Sequence, residues 1–272
     1  MRMRNMHKIK SLLLVPYMIW IVLFIIVPIA MIFYASLLDI HGHFSFENYQ
    51  NFFTSSYLEM TLSSAWYALI ITFFCLLISY PLALTLRNAK HKDILLLLVI
   101  LPTWINLLLK TYAFIGILSH DGLLNKILSI FHVPSTELLF TSTAFIIVSV
   151  YIYIPFMLLP IFNSMDEIPE NLLQASRDLG ANSFTTFKNV IVPLTLEGVK
   201  TGIQITFIPA LSLFMITRLI AGNKVVNLGT AIQEQFLVTQ NYGMGSTIAV
   251  FLILAMALIL IITKSKSENK EV

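Results

Sequence analysis

The chain has 272 residues, of which 57% are hydrophobic and 11% charged, with a mean hydropathy of +0.84. A soluble globule has about a quarter of its residues charged, so this chain has too few charges to clothe a water-facing surface. The net charge of +3 is small, so where the charges fall matters more than their sum, and no nucleic-acid partner is expected.

A helix needs about 20 mostly apolar residues to cross the hydrocarbon core, and uncharged runs of that kind predict an all-α membrane protein, a bundle of six transmembrane helices. The first run extends from Ser11 to Leu38. It is too long for the apolar core of a signal peptide and lacks an A-x-A cleavage pattern, so it reads as a retained span. His41 and His43 flank Gly42 in the loop that follows. Two histidines without a third ligand do not make a metal site, and none is expected. The second span, Met60 to Leu86, holds Cys75, the single cysteine. That leaves no disulfide framework and no thiolate cluster, and Cys75 reads as a packing residue. A short turn from Arg87 to Asp93 leads to the third span, Ile94 to Leu118, interrupted only by Lys110. The fourth lies within Leu138 to Met165, and the fifth is a short run from Thr201 to Thr217 between Lys200 and Arg218. The sixth runs from about Gly245 to Thr263.

These elements divide the chain into an N-terminal tail (1–10), a six-span region (11–263) with a polar loop at 166–197, and a C-terminal tail (264–272). No G-x-x-x-x-G-K-[ST] loop occurs, and the Gly243 and Gly245 pair completes no nucleotide-binding motif. No H-E-x-x-H and no nucleophile elbow occur either. The predicted spans contain no Asp, Glu or His, where an embedded enzyme keeps ionisable groups. No catalytic residue and no cofactor are expected. Pro16, Pro28, Pro81, Pro102, Pro155, Pro160 and Pro209 all fall inside spans. Proline kinks a helix, which suits a bundle that encloses and reopens a cavity but is common in membrane helices generally.

Orientation follows from the basic residues. One side of a six-span chain receives Arg2, Arg4, Lys8, Lys10, Arg87, Lys90, Lys92, Arg177, Lys188, Lys200, Lys264, Lys266 and Lys270, the other only Lys126 and Lys224. The positive-inside rule therefore places both termini in the cytoplasm of a plasma or inner membrane. The 166–197 loop is then cytoplasmic. In it, Pro169 is expected in the first turn of a helix, with Glu167 and Glu170 near its positive end. Leu172, Leu173, Ser176 and Leu179 form a narrow stripe, and Gly180 stands where a helix ends in a left-handed residue. Ser183 is expected to cap a second short helix in which Phe184, Phe187 and Ile191 share a face, and Pro193 to separate that helix from the fifth span. Helices of about ten residues are unstable alone in water, so packing must hold the pair.

At these residues the chain resembles the membrane permease subunits of binding-protein-dependent ABC importers. Their cytoplasmic signature is Glu-Ala-Ala, three residues, Gly, nine residues, then Ile-x-Leu-Pro. Here Gln174, Ala175, Ser176, Gly180, Val190, Val192 and Pro193 stand at that spacing, with Gln for Glu and Ser for the second Ala as departures. The resemblance implies a coupling helix around Gln174 to Gly180, including Arg177 and Asp178, that inserts into a cleft of an ATPase subunit. The chain is similar over nearly its whole length to the spermidine/putrescine branch of that family. The stretches that carry this are Ile100-Leu-Pro-Thr-Trp-Ile-Asn-Leu-Leu-Leu-Lys-Thr-Tyr, Val150-Tyr-Ile-Tyr-Ile-Pro-Phe-Met-Leu-Leu-Pro, Ala175-Ser-Arg-Asp-Leu-Gly-Ala, Phe207-Ile-Pro-Ala-Leu-Ser-Leu-Phe and Gly243-Met-Gly-Ser-Thr.

What the resemblance implies is a helical bundle paired with a second, homologous permease, two copies of an ABC ATPase and an extracytoplasmic substrate-binding protein. The implied substrate is a polyamine. A polycation crossing a bilayer calls for aromatic faces or carboxylates, and each cation–π contact contributes about 0.5 to 2 kcal/mol. Trp104, Tyr112, Tyr151 and Tyr153, with Asn106 as a polar neighbour, are the candidates on the third and fourth spans. Some members of the branch carry an acid where this chain has Arg218, so carboxylates would come from the partner permease. The alternatives are an ABC permease for another small solute, which Arg218 would suit if anionic, and a stand-alone secondary carrier. A carrier calls for ion-coupling acids in the spans.

Overall fold

The computed structural model describes residues 14–222 and 224–263. The predicted tails, with Arg2, Arg4, Lys8, Lys10, Lys264, Lys266 and Lys270, lie outside the described residues, as do Ser11 to Leu13 of the first span. The described residues form helices and loops. The helices are α1 (Leu14–Ser36), α2 (Glu47–Phe52), α3 (Ser55–Arg87), α4 (Lys92–Ile100), α5 (Leu107–Leu118), α6 (Leu123–Ile130) and α7 (Ser142–Asp166). They continue with α8 (Glu170–Asp178), α9 (Ser183–Ala210), α10 (Phe214–Ala221), α11 (Leu228–Leu237) and α12 (Tyr242–Thr263). By length and apolar character α1, α3, α7, α12 and the stretch Leu107–Ile130 can each cross a membrane. The pair α9 and α10, bent by 53°, makes a sixth, broken span.

Three predicted spans are redrawn. The third, expected at 94–118, is interrupted: α4 passes into a single 3₁₀ turn at Leu101–Trp104, and Ile105 and Asn106 are extended. Pro102 lacks the N–H that would continue α4, and Asn106 starts α5 afresh by accepting from the Leu108 N–H at 2.8 Å. The apolar stretch then continues to Ile130. The fifth span starts well before Thr201, because α9 is helical from Ser183. The second begins at Ser55. These longer helices carry Glu59 and Glu197, both exposed, so acids do occur in them. Apolar windows locate the hydrocarbon core and miss the polar turns by which a helix overshoots it.

Prolines shape the helices locally. In α1 a π turn at Val22–Ile26 precedes Pro28, and in α9 a π turn at Phe187–Ile191 precedes Pro193. A proline ring pushes on the carbonyl one turn back, and widening the helix by one residue relieves that clash.

The chain folds as two compact units. One, within Met1–Leu58 and Ala231–Ile253, is built on stacked rings: Phe52 lies flat on Phe251 at 3.8 Å, with Tyr49 and Phe53 against the same ring. Ser36 bonds Tyr49 and its carbonyl accepts from Thr247. In the exposed turn after α1, the Asp39 carboxylate accepts from the backbone N–H groups of His41 and His43. The His43 bond foremost, with the His41 bond in the same sense, holds Asp39 below the usual carboxylate range.

The other unit lies within Glu59–Thr230 and Leu254–Val272, and its core is the packing of α7 on α9. Thr195, Gly198, Gly202, Thr206 and Ala210 are the buried face of α9. Small residues at this spacing let two helix backbones approach closely, which is how helices associate where lipid supplies no hydrophobic drive. In α3, the Cys75 thiol and the Ser79 hydroxyl donate to the carbonyls of Val150 and Ile154 on α7. Cys75 is fully buried, the packing role expected of it. The break between α9 and α10 exposes the Leu213 carbonyl inside the fold. Asn227 donates to it at 3.1 Å and to the Thr217 hydroxyl at 2.8 Å, and Thr217 also donates to Leu213. Backbone groups buried at membrane depth need such partners.

Candidate functional site

The 166–197 loop joins α7 to α9. Asp166, the last residue of α7, pairs with Lys92 at the start of α4. Ile168 is buried, Pro169 stands just ahead of α8 and not in its first turn, and Glu170 opens the helix. At the far end Gly180 has φ +80°, the left-handed geometry expected there. Its N–H donates to the Arg177 carbonyl and the Ala181 N–H to that of Ser176, so the last carbonyls of α8 are satisfied.

Two further expectations for this loop change. Asn182 and not Ser183 caps the next helix, its side chain accepting from the Thr185 N–H at 2.8 Å. Pro193 does not separate two helices, because the π turn absorbs it and α9 continues unbroken to Ala210. The loop is therefore one short helix laid against the start of a long one.

Burial splits the predicted stripe in two. Leu173 is buried, and the Ser176 hydroxyl meets that of Thr186 at 2.9 Å, which pins α8 to α9. Leu172 and Leu179 point away, as does Phe184, while Phe187 and Ile191 turn inward. Leu179 is 89% exposed and Phe184 71%. Gln174, Ala175, Arg177, Asp178, Gly180 and Pro193 are exposed as well. Leu179 and Phe184 are thus large apolar side chains left uncovered on either side of the turn.

The lower half of α3 holds this loop at both ends. Arg87 donates from Nη2 to the Ile168 carbonyl at 2.9 Å and stands 3.8 Å from the Glu170 carboxylate. Two turns earlier on α3, the Tyr80 hydroxyl bonds Thr195 at 2.8 Å and its ring meets Phe187 edge-on at 5.8 Å. In the sequence Arg87 reads only as a positive charge, and Tyr80 and Thr195 carry no signal. The partners of Arg87 and Tyr80 are 81 and 115 residues away, and no local periodicity marks such a contact.

The aromatic candidates do not converge. Trp104, 74% exposed, sits on the 3₁₀ turn, and Asn106 is engaged as the cap of α5. Tyr112 is exposed on α5. Tyr151 packs edge-on against Phe114 at 4.9 Å, whereas Tyr153 faces Phe156. Among the described residues no group of three or more His, Cys, Asp or Glu could hold a metal ion.

Residues 75–265 match the family described as binding-protein-dependent transport system inner membrane component. Over 253 residues the chain is 34% identical to the spermidine/putrescine transport system permease protein PotB of Haemophilus influenzae, covering 89% of this chain and 88% of that one. To PotB of Escherichia coli it is 36% identical over 265 residues, covering 93% and 96%. A solved bacterial alginate ABC transporter, in complex with an alginate pentasaccharide-bound periplasmic protein, contains a chain that matches with a TM-score of 0.83. That match covers 98% of this chain and 96% of the other at 15% identity, a likeness of fold alone.

Proposed function

The chain belongs to the family of binding-protein-dependent transport system inner membrane components, and we propose that it is the permease subunit of an ATP-driven importer of polyamines such as spermidine and putrescine. The observation that carries this reading is its similarity, along nearly the full length of both chains, to permeases named for those two solutes.

In this reading substrate crosses by alternating access, and ATP is hydrolysed on a separate subunit present in two copies. The exposed turn bearing Leu179 and Phe184 seats in the ATPase, with Gln174 to Gly180 as the coupling element. A second, homologous permease completes the bundle. The binding protein delivers substrate to the outer loops at 40–57, 119–137 and 220–242. Both termini are cytoplasmic, as the basic residues favour. Trp104 and Tyr112 offer exposed aromatic faces to a cation. Glu59, in the first turns of α3, adds a carboxylate at the outer end under this orientation.

The test is reconstitution of the four-part complex in proteoliposomes with labelled putrescine and spermidine. ATP-dependent uptake that requires the binding protein is expected. A complex that imports another solute and neither polyamine would overturn the substrate assignment.

A further inference from the structure

Resting on the transport reading above, we infer that Tyr80 and Arg87 are positioning residues that carry displacement of the 166–197 loop into the second span, α3. The observation is that one face of one helix grips both ends of the loop. Tyr80 and Arg87 are two turns apart, about 10 Å along the axis. Arg87 holds the incoming arm through the Ile168 carbonyl, and Tyr80 holds the outgoing arm through Thr195 and Phe187. The loop cannot slide along α3 or tilt away from it without breaking one hold, so a push from the ATPase moves α3 with it.

The two contacts of Arg87 differ in weight. Its side chain is only 9% exposed and donates to a buried residue's carbonyl, whereas Glu170 is 63% exposed. An ion pair open to water on one side is screened and weak, while a charged donor buried on a carbonyl has no water to replace it. The hold is therefore the hydrogen bond to Ile168. The Lys92–Asp166 pair, more than a third exposed on both sides, is a lesser tie of the same arm.

The experiment uses the complete complex in proteoliposomes and reads two quantities: stimulation of ATP hydrolysis by the substrate-loaded binding protein, and solute imported per ATP. Arg87→Met keeps the stem and loses the donors. It is expected to assemble with basal hydrolysis intact, while stimulation and import per ATP fall about ten-fold, the scale of one hydrogen bond from a charged donor. Arg87→Lys, which keeps a charged donor on a single nitrogen, recovers much of this. Tyr80→Phe loses about three-fold, the scale of a neutral hydrogen bond, and Glu170→Gln stays at the wild-type value. A purely structural role would reduce the amount of complex and leave import per ATP unchanged in what assembles. Wild-type import per ATP in Arg87→Met overturns the inference. If that variant fails to assemble, wild-type values in both Arg87→Lys and Tyr80→Phe overturn it instead. A wild-type complex whose hydrolysis ignores its binding protein overturns the transport reading, and this inference with it.

Discussion

Gly202 of α9 faces Met157 of α7 so closely that a Cβ on the glycine would stand 2.7 Å from the thioether sulfur and 3.1 Å from the backbone oxygen. One turn away a Cβ on Gly198 would collide with the Pro160 carbonyl and the Ser164 side chain. The two sites differ in what must yield. A methionine sulfur can swing aside, and replacing a helical glycine by alanine returns about 1 kcal/mol of backbone entropy, so Gly202→Ala is expected to be close to neutral. The Pro160 carbonyl is backbone and cannot move without moving α7. Overpacking costs about 1 to 3 kcal/mol, so Gly198→Ala is expected to lower the melting temperature of the purified protein in detergent. Equal melting of the two variants would contradict the packing argument.

The turn at Gly180 separates conformation from contact. Nothing lies within 4 Å of a Cβ built there, so the only penalty for a side chain is the positive φ. That penalty is about 1 to 2 kcal/mol for a β-branched residue, too little to unfold the bundle and enough to reorient a 9-residue helix. Gly180→Val is expected to insert and to pair with the second permease, yet to co-purify with about 5- to 30-fold less ATPase and to import poorly. Gly180→Asn, tolerant of the left-handed region, should stay near wild type. Retention of the ATPase and of full uptake by the valine variant would remove the turn from the coupling interface.

Trp104 is tested through uptake. Loss of one cation–π contact of about 0.5 to 2 kcal/mol corresponds to a fall of roughly 2- to 30-fold. Trp104→Ala is expected to reduce polyamine uptake by that amount with assembly intact, and Trp104→Phe by less. An alanine variant that transports normally takes Trp104 off the substrate path.

Topology follows from the charges. Reporters fused after Lys92 and after Val272 are expected to read cytoplasmic, and those at His43 and Lys224 external. A cytoplasmic signal at His43 would reverse the orientation and put the 166–197 loop out of reach of any ATPase.

The turn after α1 has a pH dependence of defined sign. Asp39 is held below its ordinary value by the His43 and His41 N–H groups. Its contribution to the turn is therefore complete above the unfolded value near 4 and is lost as pH falls through the lower folded value. Hydrogen-exchange protection of the His41 and His43 amides should stay constant from neutral pH down to about 4 and decline only below it. Asp39→Ala should lack protection at every pH.

Composition and apolar run length suffice to read the class of the fold and the apolar core of the spans, though not their ends, because hydrocarbon imposes one rule on every residue it touches. The turn at Gly180 is legible for a similar reason, since a positive φ selects for glycine. Where the outcome depends on local alternatives, the sequence misleads by a residue or a helix. Asn182 and Ser183 are both good caps, and only the chain path decides between them. Pro193 reads as a breaker unless the π turn before it is foreseen. Arg87 and Asn227 are illegible as structural residues, since each acts on a carbonyl that the sequence does not mark as exposed.

Asn227 also constrains how the chain is made. The Leu213 carbonyl that it caps belongs to a span whose apolar core is short and bounded by Lys200 and Arg218. Thr217 already donates to that carbonyl from within the segment, and Asn227 occupies its remaining lone pair. This second partner lies 14 residues downstream, which at ribosomal speed is a delay of about one to three seconds. Until residue 227 is made, the break between α9 and α10 has only its own Thr217 to satisfy it.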